Sequence, residues 1–347
     1  MATASGGKDR TGEAVRRRIA VTIGDAAGIG PEIVLRALAD GAGDTAKPII
    51  IGDIEFLRRE ADKFGIDIRL ENYDKETGPG GEAFHVFSAV TLPGSLTYGV
   101  ESEAAGKAAG DCIVAAVDLW KAGEVDAIST APISKRSLRM GGHDYPGHTE
   151  FLAALTGTSK FAMSFFADRL RVVLVSTHLP LRDAIEAVTP ERLEDLIRFT
   201  SEQLERLLGR PVKIAVAGIN PHASENGMFG TEEAERITPA IERCRDVHGI
   251  EVSGPYSPDT IFLRGYRGEF DAVIACYHDQ ATIAVKSLSF GTAVNVTLGL
   301  PLIRTSVDHG TAFDIAGQGV ADASSMAEAI RLGGKLAEKR KASAHAE

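Results

Sequence analysis

The sequence predicts an α/β protein whose strands form a largely parallel sheet. Short runs rich in Val, Ile and Ala alternate with helical patterns along the whole chain, the order expected of layered α/β folds. The strand-like runs are continuously apolar rather than alternating, as in a sheet covered on both faces. At 347 residues the chain exceeds the size at which one core usually divides, so two lobes are expected.

Taken in order, residues 1–17 are small, polar and basic, lack the apolar stretch of a secretory signal, and read as a disordered tail. Asp9 and Glu13 are unlike a transit peptide. Arg18 to Ile23 reads as a buried strand and Pro31 to Leu38 as a helix. A strand over Lys47 to Gly52 and a helix over Ile54 to Phe64 follow. Glu101 to Lys121 is a long helix, leading into a strand at Val125 to Thr130. Three further strands are expected at Arg171 to Ser176, Val212 to Ala217 and Asp271 to Cys276. Helices over Pro190 to Leu208 and Glu232 to Arg245 separate them, and a last helix covers Ser325 to Lys339. No internal repeat or low-complexity segment interrupts the pattern.

The formal net charge is −10. No basic stripe is present, which disfavours a nucleic-acid partner. An acidic surface still permits an anionic substrate, because a site concentrates Lys, Arg and His locally. No apolar run reaches membrane-spanning length. Cys112, Cys244 and Cys276 lie far apart without a CxxC pair. They read as buried thiols in a reducing, cytoplasmic compartment.

Ligands of such folds bind at the carboxyl ends of strands, and four groups of residues stand there. GDAAGIGPE leaves the first strand and enters the first helix. Its glycines permit tight turns and Pro31 suits the first helical position. It is not GxGxxG, and alone it is as readily a structural turn as a ligand loop. His178, His222 and His278 each follow a predicted strand. Neutral imidazoles suit Zn, Co, Ni or Fe, and three of them leave open positions for catalysis. One such His is more often structural, and the long spacing is not a metal motif in itself. His148, Thr149, Lys286, Asn295 and Arg304 form an anion-capable set: Arg offers a bidentate fork and Lys a point charge. Singly, each charge is more commonly a solvated surface group, but Asn295 inside an apolar strand needs partners. The fourth group is TSVDHGTAFDIAG, Thr305 to Gly317, long and polar for a mere turn.

The segments GDAAGIGPE, APISK, PGHTEFL, STHLPLRDA, INPHASENGMFGTEE, SPDT, YHDQ and VNVTLGLPLIRTSVDHGTAFDIAG together resemble the 4-hydroxythreonine-4-phosphate dehydrogenase family. They occur in family order over about Val21 to Asp322. The resemblance implies the two-lobed α/β/α fold of isocitrate and isopropylmalate dehydrogenases, with the active site in the cleft between lobes. The lobes are expected at 18–140 plus 300–347, and 141–299. It also implies one divalent metal (Zn, Co, Mg or Mn) on His178, His222 and His278, and substrate contacts from His148, Thr149, Lys286, Asn295 and Arg304. NAD or NADP would lie on the loop carrying His309, Gly310, Thr311, Asp314 and Gly317. The family is homodimeric with a shared metal site, His278 coming from the partner chain.

The implied reaction oxidises the secondary alcohol of 4-hydroxythreonine 4-phosphate, then releases CO2 to give 3-amino-2-oxopropyl phosphate in pyridoxal phosphate biosynthesis. Lys286, His148 and Asp279 are the candidate general bases. Three departures stand out: Ala26 where the family usually has Pro, Ser224 for Gly, and Ala281 for Gly before TIAVK. The last lies between a metal ligand and a substrate lysine and bears on substrate identity, since related enzymes act on 4-phospho-D-threonate or 4-phospho-D-erythronate. A phosphate acyltransferase shares the two-lobed fold but needs no three-His centre. A non-catalytic binding protein would not need metal, substrate and cofactor motifs together.

Overall fold

In the computed structural model, which describes residues 16–344 apart from 77, 79–81 and 290, the chain divides into two compact units. One runs through Lys160 and resumes at Leu300, and the other is Phe161–Gly299. The first unit opens with β1 (Arg18–Thr22), α1 (Gly30–Ala39), β2 (Lys47–Gly52), α2 (Ile54–Phe64), β3 (Leu70–Asn72) and β4 (Phe84–Ser88). It continues with α3 (Glu103–Lys121), β5 (Ala127–Thr130), α4 (Lys135–Met140) and α5 (His148–Thr156). The second unit carries β6 (Ala162–Ala167), β7 (Leu170–Leu174), α6 (Leu181–Glu186), α7 (Pro190–Leu208), β8 (Ile214–Ala217) and α8 (Thr238–Asp246). It closes with β9 (Val252–Tyr256), α9 (Pro258–Tyr266), β10 (Ala272–Ala275), α10 (His278–Ser289) and β11 (Val294–Leu298). The chain then returns to the first unit through β12 (Ile303–Ser306) and α11 (Ser324–Ala344).

In the first unit the strands run β3-β4-β2-β1-β5-β12, every neighbouring pair parallel. Ile19, Ala20, Val21, Ile49, Ile50 and Ile51 are wholly buried, which is why these segments read as unbroken apolar runs. Helix ends are set by local chemistry. The Asp53 carboxylate accepts from Glu55 N and Phe56 N to start α2, and Gly65 ends it at φ 62°. Ser102 caps α3 through Ala105 N.

In the second unit the order is β11-β6-β7-β10-β8-β9. Four of these strands are parallel, while β6 runs antiparallel to both β7 and β11. Ala167 pairs with Leu170, so β6 and β7 join through two residues, and Asp168 takes the positive φ such a turn requires. Phe165, Leu170, Val172, Ala215, Ile261, Phe262, Val273 and Val285 belong to its core.

The structure redraws three expectations. Residues 141–160, expected in the second lobe, belong to the first unit. There Phe151 stacks on Tyr145 at 4.2 Å and meets His143 at 5.3 Å, and His143 is hydrogen-bonded to Asp111 of α3 at 3.2 Å. The helix expected over Glu232 to Arg245 is a π-helical turn, Glu233–Ile237, followed by α8. β3, β4, β6, β9 and β12 were not anticipated; three of them carry half-exposed residues that blur the apolar run, and β12 has three polar residues among its four. Of the tail expected to be disordered, residues 1–15 lie outside the described residues. All three cysteines are buried and unpaired, as expected.

Candidate active site

The turn after β1 is shaped by close backbone approach. A Cβ on Gly24 (φ +71°) would lie 2.3 Å from Pro132 O, and one on Gly30 would lie 2.2 Å from Ile23 O. Neither position admits a side chain without moving backbone. Asp25, wholly buried, accepts from Ala27 N at 2.9 Å through Oδ1, and its Oδ2 has no hydrogen-bond partner. Burial pushes its carboxyl above the usual range against the pull of that N–H.

Arg304, His148 and Thr149 belong to the same unit. Arg304 lies on β12 with 4% exposure, and its Nε and one terminal nitrogen donate to Thr130 Oγ1 at 3.3 and 2.9 Å. Burial lowers its pKa to about 10 while Glu150 opposes the shift, so the guanidinium stays charged at neutral pH. His148 is the first residue of α5 and Thr149 the second. Burial, and then the Arg304 charge, hold the His148 imidazole well below its ordinary pKa. Its Nε2 is buried without a partner. A neutral ring with an unpartnered nitrogen beside a fixed cation has the chemistry to hold an anionic group.

The loop after β12 is seated on the first turn of the fold. Ile29 N donates to Thr311 O at 3.0 Å, and a Cβ on Gly28 would meet Thr311 O at 2.9 Å. Ala312 takes φ +43°, and Gly317 lies against the Tyr98 ring, where a Cβ would come within 2.6 Å. Glu32, 2% exposed, accepts from Ala321 N at 3.0 Å and from Arg36 at 3.0 Å, and Arg36 donates onward to Gly319 O at 2.7 Å. His309 Nδ1 meets Gly310 O at 3.1 Å, leaving a buried, unpartnered Nε2. No atom crowds Gly310, and Asp314 is exposed. An anchored loop with an unsatisfied buried nitrogen fits a polar cofactor group.

In the second unit His178 follows β7, His222 follows β8 and His278 begins α10. His178 and His222 are exposed. The rings of His178 and His278 lie 5.8 Å apart within one chain. His278 Nδ1 is bonded to Asp279 Oδ1 at 2.7 Å; with the proton on Nδ1, Nε2 has a lone pair that could ligate a metal. The donor set therefore fits a divalent ion chemically. Among the described residues, no three His, Cys, Asp or Glu side chains of one chain are gathered to hold one.

His222 sits on a turn in which His222, Ala223, Ser224, Glu225 and Asn226 take φ of 52°, 52°, 69°, 43° and 57°. Each such non-glycine residue costs roughly 1–2 kcal/mol. Asn295, on β11 opposite Phe165, has a buried Oδ1 without a partner. Lys286 is exposed on α10. Ala281 is wholly buried in the core with Ala275 and Val285. Its methyl therefore fills core space.

Residues 44–333 match the family described as pyridoxal phosphate biosynthetic protein PdxA. The chain belongs to this family. Its PdxA relatives carry two kinds of name. A D-threonate 4-phosphate dehydrogenase of Cupriavidus necator is 44% identical over 326 residues, covering 93% of this chain and 98% of the relative. A 4-hydroxythreonine-4-phosphate dehydrogenase of Desulforapulum autotrophicum is 44% identical, covering 90% and 94%. The crystal structure of 4-hydroxythreonine-4-phosphate dehydrogenase from Klebsiella pneumoniae superposes with a TM-score of 0.85 at 42% identity, covering 92% of this chain and 99% of that one. Among the described residues no helix is long and apolar enough to cross a membrane.

Four buried polar residues of this PdxA chain were not singled out from the sequence: Asp25, Glu32, Thr130 and Glu233. Asp25 and Glu32 stand inside a segment already singled out, but their burial is invisible in one dimension. Glu233 lies in TEEAER, where two adjacent glutamates read as solvated. In the structure it is 3% exposed and accepts from Ile219 N at 2.8 Å and Asn220 N at 2.7 Å. Burial alone would raise its pKa, but the Asn220 backbone, Ser224 hydroxyl and Asn220 amide donors hold it below the usual range.

Proposed function

We propose that the chain catalyses the NAD(P)-dependent oxidation of 4-hydroxythreonine 4-phosphate at its secondary hydroxyl, followed by loss of CO2 to give 3-amino-2-oxopropyl phosphate. Membership of the PdxA family makes it an oxidoreductase acting on CH–OH. The observation that carries the substrate class is the buried Arg304 beside the unsatisfied His148 Nε2, a place for a phosphate or carboxylate oxygen.

In this reading Arg304, oriented by Thr130, supplies the fixed charge for one anionic end of the substrate. His148 and Thr149 add neutral hydrogen bonds, the imidazole being kept uncharged by burial and by Arg304. Lys286 and Asn295 complete the substrate contacts. The hydroxyl gives up its proton and the carbinol carbon its hydride, leaving a ketone β to the carboxylate. The C–C bond to the carboxylate then breaks, CO2 leaves, and the enol is protonated. The candidate proton acceptors are Lys286, His148 and Asp279; Asp279 is hydrogen-bonded to His278 Nδ1, and burial with the Arg304 charge makes His148 a weak base. The loop of His309, Gly310, Thr311, Asp314 and Gly317 would hold a nicotinamide cofactor, NAD or NADP, which when bound takes the hydride. His178, His222 and His278 would hold a divalent ion, with Zn or Co favoured over Mg or Mn by imidazole ligation. When bound, such an ion acidifies the hydroxyl and stabilises developing negative charge on oxygen.

A homodimer with a shared metal site is part of the same reading. Leu179 and Leu181 beside His178, Met228 and Phe229 beside the His222 turn, and Ile283 on the His278 helix are all exposed, an unusual density of apolar side chains around exposed imidazoles.

The same chemistry on D-threonate 4-phosphate is the second reading, favoured by relatives of equal identity that bear that name. NAD(P)H formation should be followed with both substrates and with 4-phospho-D-erythronate, each with and without divalent metal. Preference for 4-hydroxythreonine 4-phosphate supports the first reading. Preference for a sugar-acid phosphate replaces it with the second, and absence of turnover on all three overturns both.

A further inference from the structure

The turn that carries His222 should not persist by itself. Five consecutive non-glycine residues stand at positive φ, and a strained run of this length survives only where its surroundings over-determine it. Besides its own backbone bonds and the Asn220 amide's bond to Glu232 Oε2 at 2.7 Å, the turn is held chiefly by one buried carboxylate. Glu233 Oε1 accepts from Ile219 N at 2.8 Å and Asn220 N at 2.7 Å. Its Oε2 accepts from the Asn220 amide at 2.9 Å and from the Ser224 hydroxyl. The carboxylate thus grips the chain both before the turn and inside it.

Ser224 passes the constraint on. Its carbonyl accepts from Gly227 N at 3.0 Å and from Phe229 N at 3.1 Å, and the Phe229 ring lies 6.3 Å from the His222 ring. Gly218 admits the close return of the chain, since a Cβ there would lie 3.0 Å from Ala223 Cα and 3.1 Å from Glu233 Oε1. At φ +69° glycine would sit without strain at position 224, whereas serine needs compensation, and the hydroxyl bonded to Glu233 provides it.

We infer that Glu233 is the positioning residue that fixes the orientation of the His222 imidazole, with Ser224 as its lever in this chain. The consequence for metal binding rests on the reading of His222 as a ligand given above; the orientation of the ring does not. Glu233→Gln places an amide NH2 against at least one N–H or O–H donor and breaks the clamp. Ser224→Ala keeps the strain and loses the hydroxyl, while Ser224→Gly loses both.

The test uses the full-length protein labelled with carbon-13 in its histidine rings, and Co2+ as the metal probe. In metal-free protein, Glu233→Gln and Ser224→Ala should shift or broaden the His222 ring resonance, assigned through His222→Ala. The Ser224→Gly resonance should stay near wild type. In Co2+ titrations followed by the visible absorption of the bound ion, the first two variants should bind at least ten-fold more weakly, with the glycine variant close to wild type. Thermal unfolding distinguishes loss of the fold, and Ser224→Ala carries the test should Glu233→Gln fail to fold. An unchanged His222 resonance in both Glu233→Gln and Ser224→Ala overturns the inference. Co2+ spectra identical in wild type and His222→Ala overturn the metal reading instead and leave the ring resonance to decide Glu233.

Discussion

At the residue scale, two buried side chains do what exposed ones of the same type cannot. Arg304 is sealed from water and fixed by Thr130, so its planar fork is aimed before any ligand arrives. Arg304→Lys loses that fork and the Thr130 contacts together. The expected loss is about 1.5–3 kcal/mol of ligand interaction, roughly 10- to 150-fold in kcat/KM, measured by steady-state kinetics with circular dichroism unchanged. His148 gives a pH signature. Its folded pKa lies below the ordinary value because of burial and Arg304, so below pH ~6.5 the unfolded chain binds a proton that the native state refuses. This contribution to stability is complete above that pH and is lost as pH falls toward the depressed native value, at a slope of at most about 1.4 kcal/mol per pH unit. Urea unfolding of His148→Gln between pH 7 and 5 should therefore be less acid-sensitive than wild type; equal sensitivity would contradict a buried neutral ring.

At the element scale, the loop after β12 is held by helix α1 as well as by its own turns. Glu32 accepts from Ala321 N and braces Arg36, which holds Gly319 O. Glu32→Ala leaves a buried N–H unsatisfied and should destabilise the chain by about 1–3 kcal/mol. If the loop takes the cofactor, KM for NAD(P) rises while KM for the phosphorylated acid changes little. A change confined to the acid would assign the loop to the substrate instead. The helix caps tell a simpler story. Asp53 and Gly65 bracket Ile54–Phe64 at the bounds the sequence pattern predicts, because capping chemistry is local.

At the scale of the whole molecule, the proposed homodimer would cover exposed apolar side chains beside the histidines. Leu181 and Met228 are 59% and 72% exposed. Sedimentation equilibrium should show a dimer. Leu181→Asp with Met228→Asp should shift it toward monomer, with loss of activity in parallel if the metal site is shared. A wild-type monomer that turns over substrate would remove the shared site.

The sequence by itself determined the α/β class, six of the buried strands and the bounds of several helices, because unbroken apolar runs and caps are properties of neighbours along the chain. It also singled out His148, Thr149, Lys286, Asn295 and Arg304 as an anion-capable set. Only the tertiary structure decided that residues 141–160 join the first unit, through Phe151 and His143, and that Ala281 is core. It alone showed that Asp25, Glu32 and Glu233 are buried carboxylates holding backbone in place. Burial and long-range hydrogen bonding arise from residues far apart in the chain, Glu32 and Ala321 being 289 positions apart, and no local pattern of residue types encodes that distance.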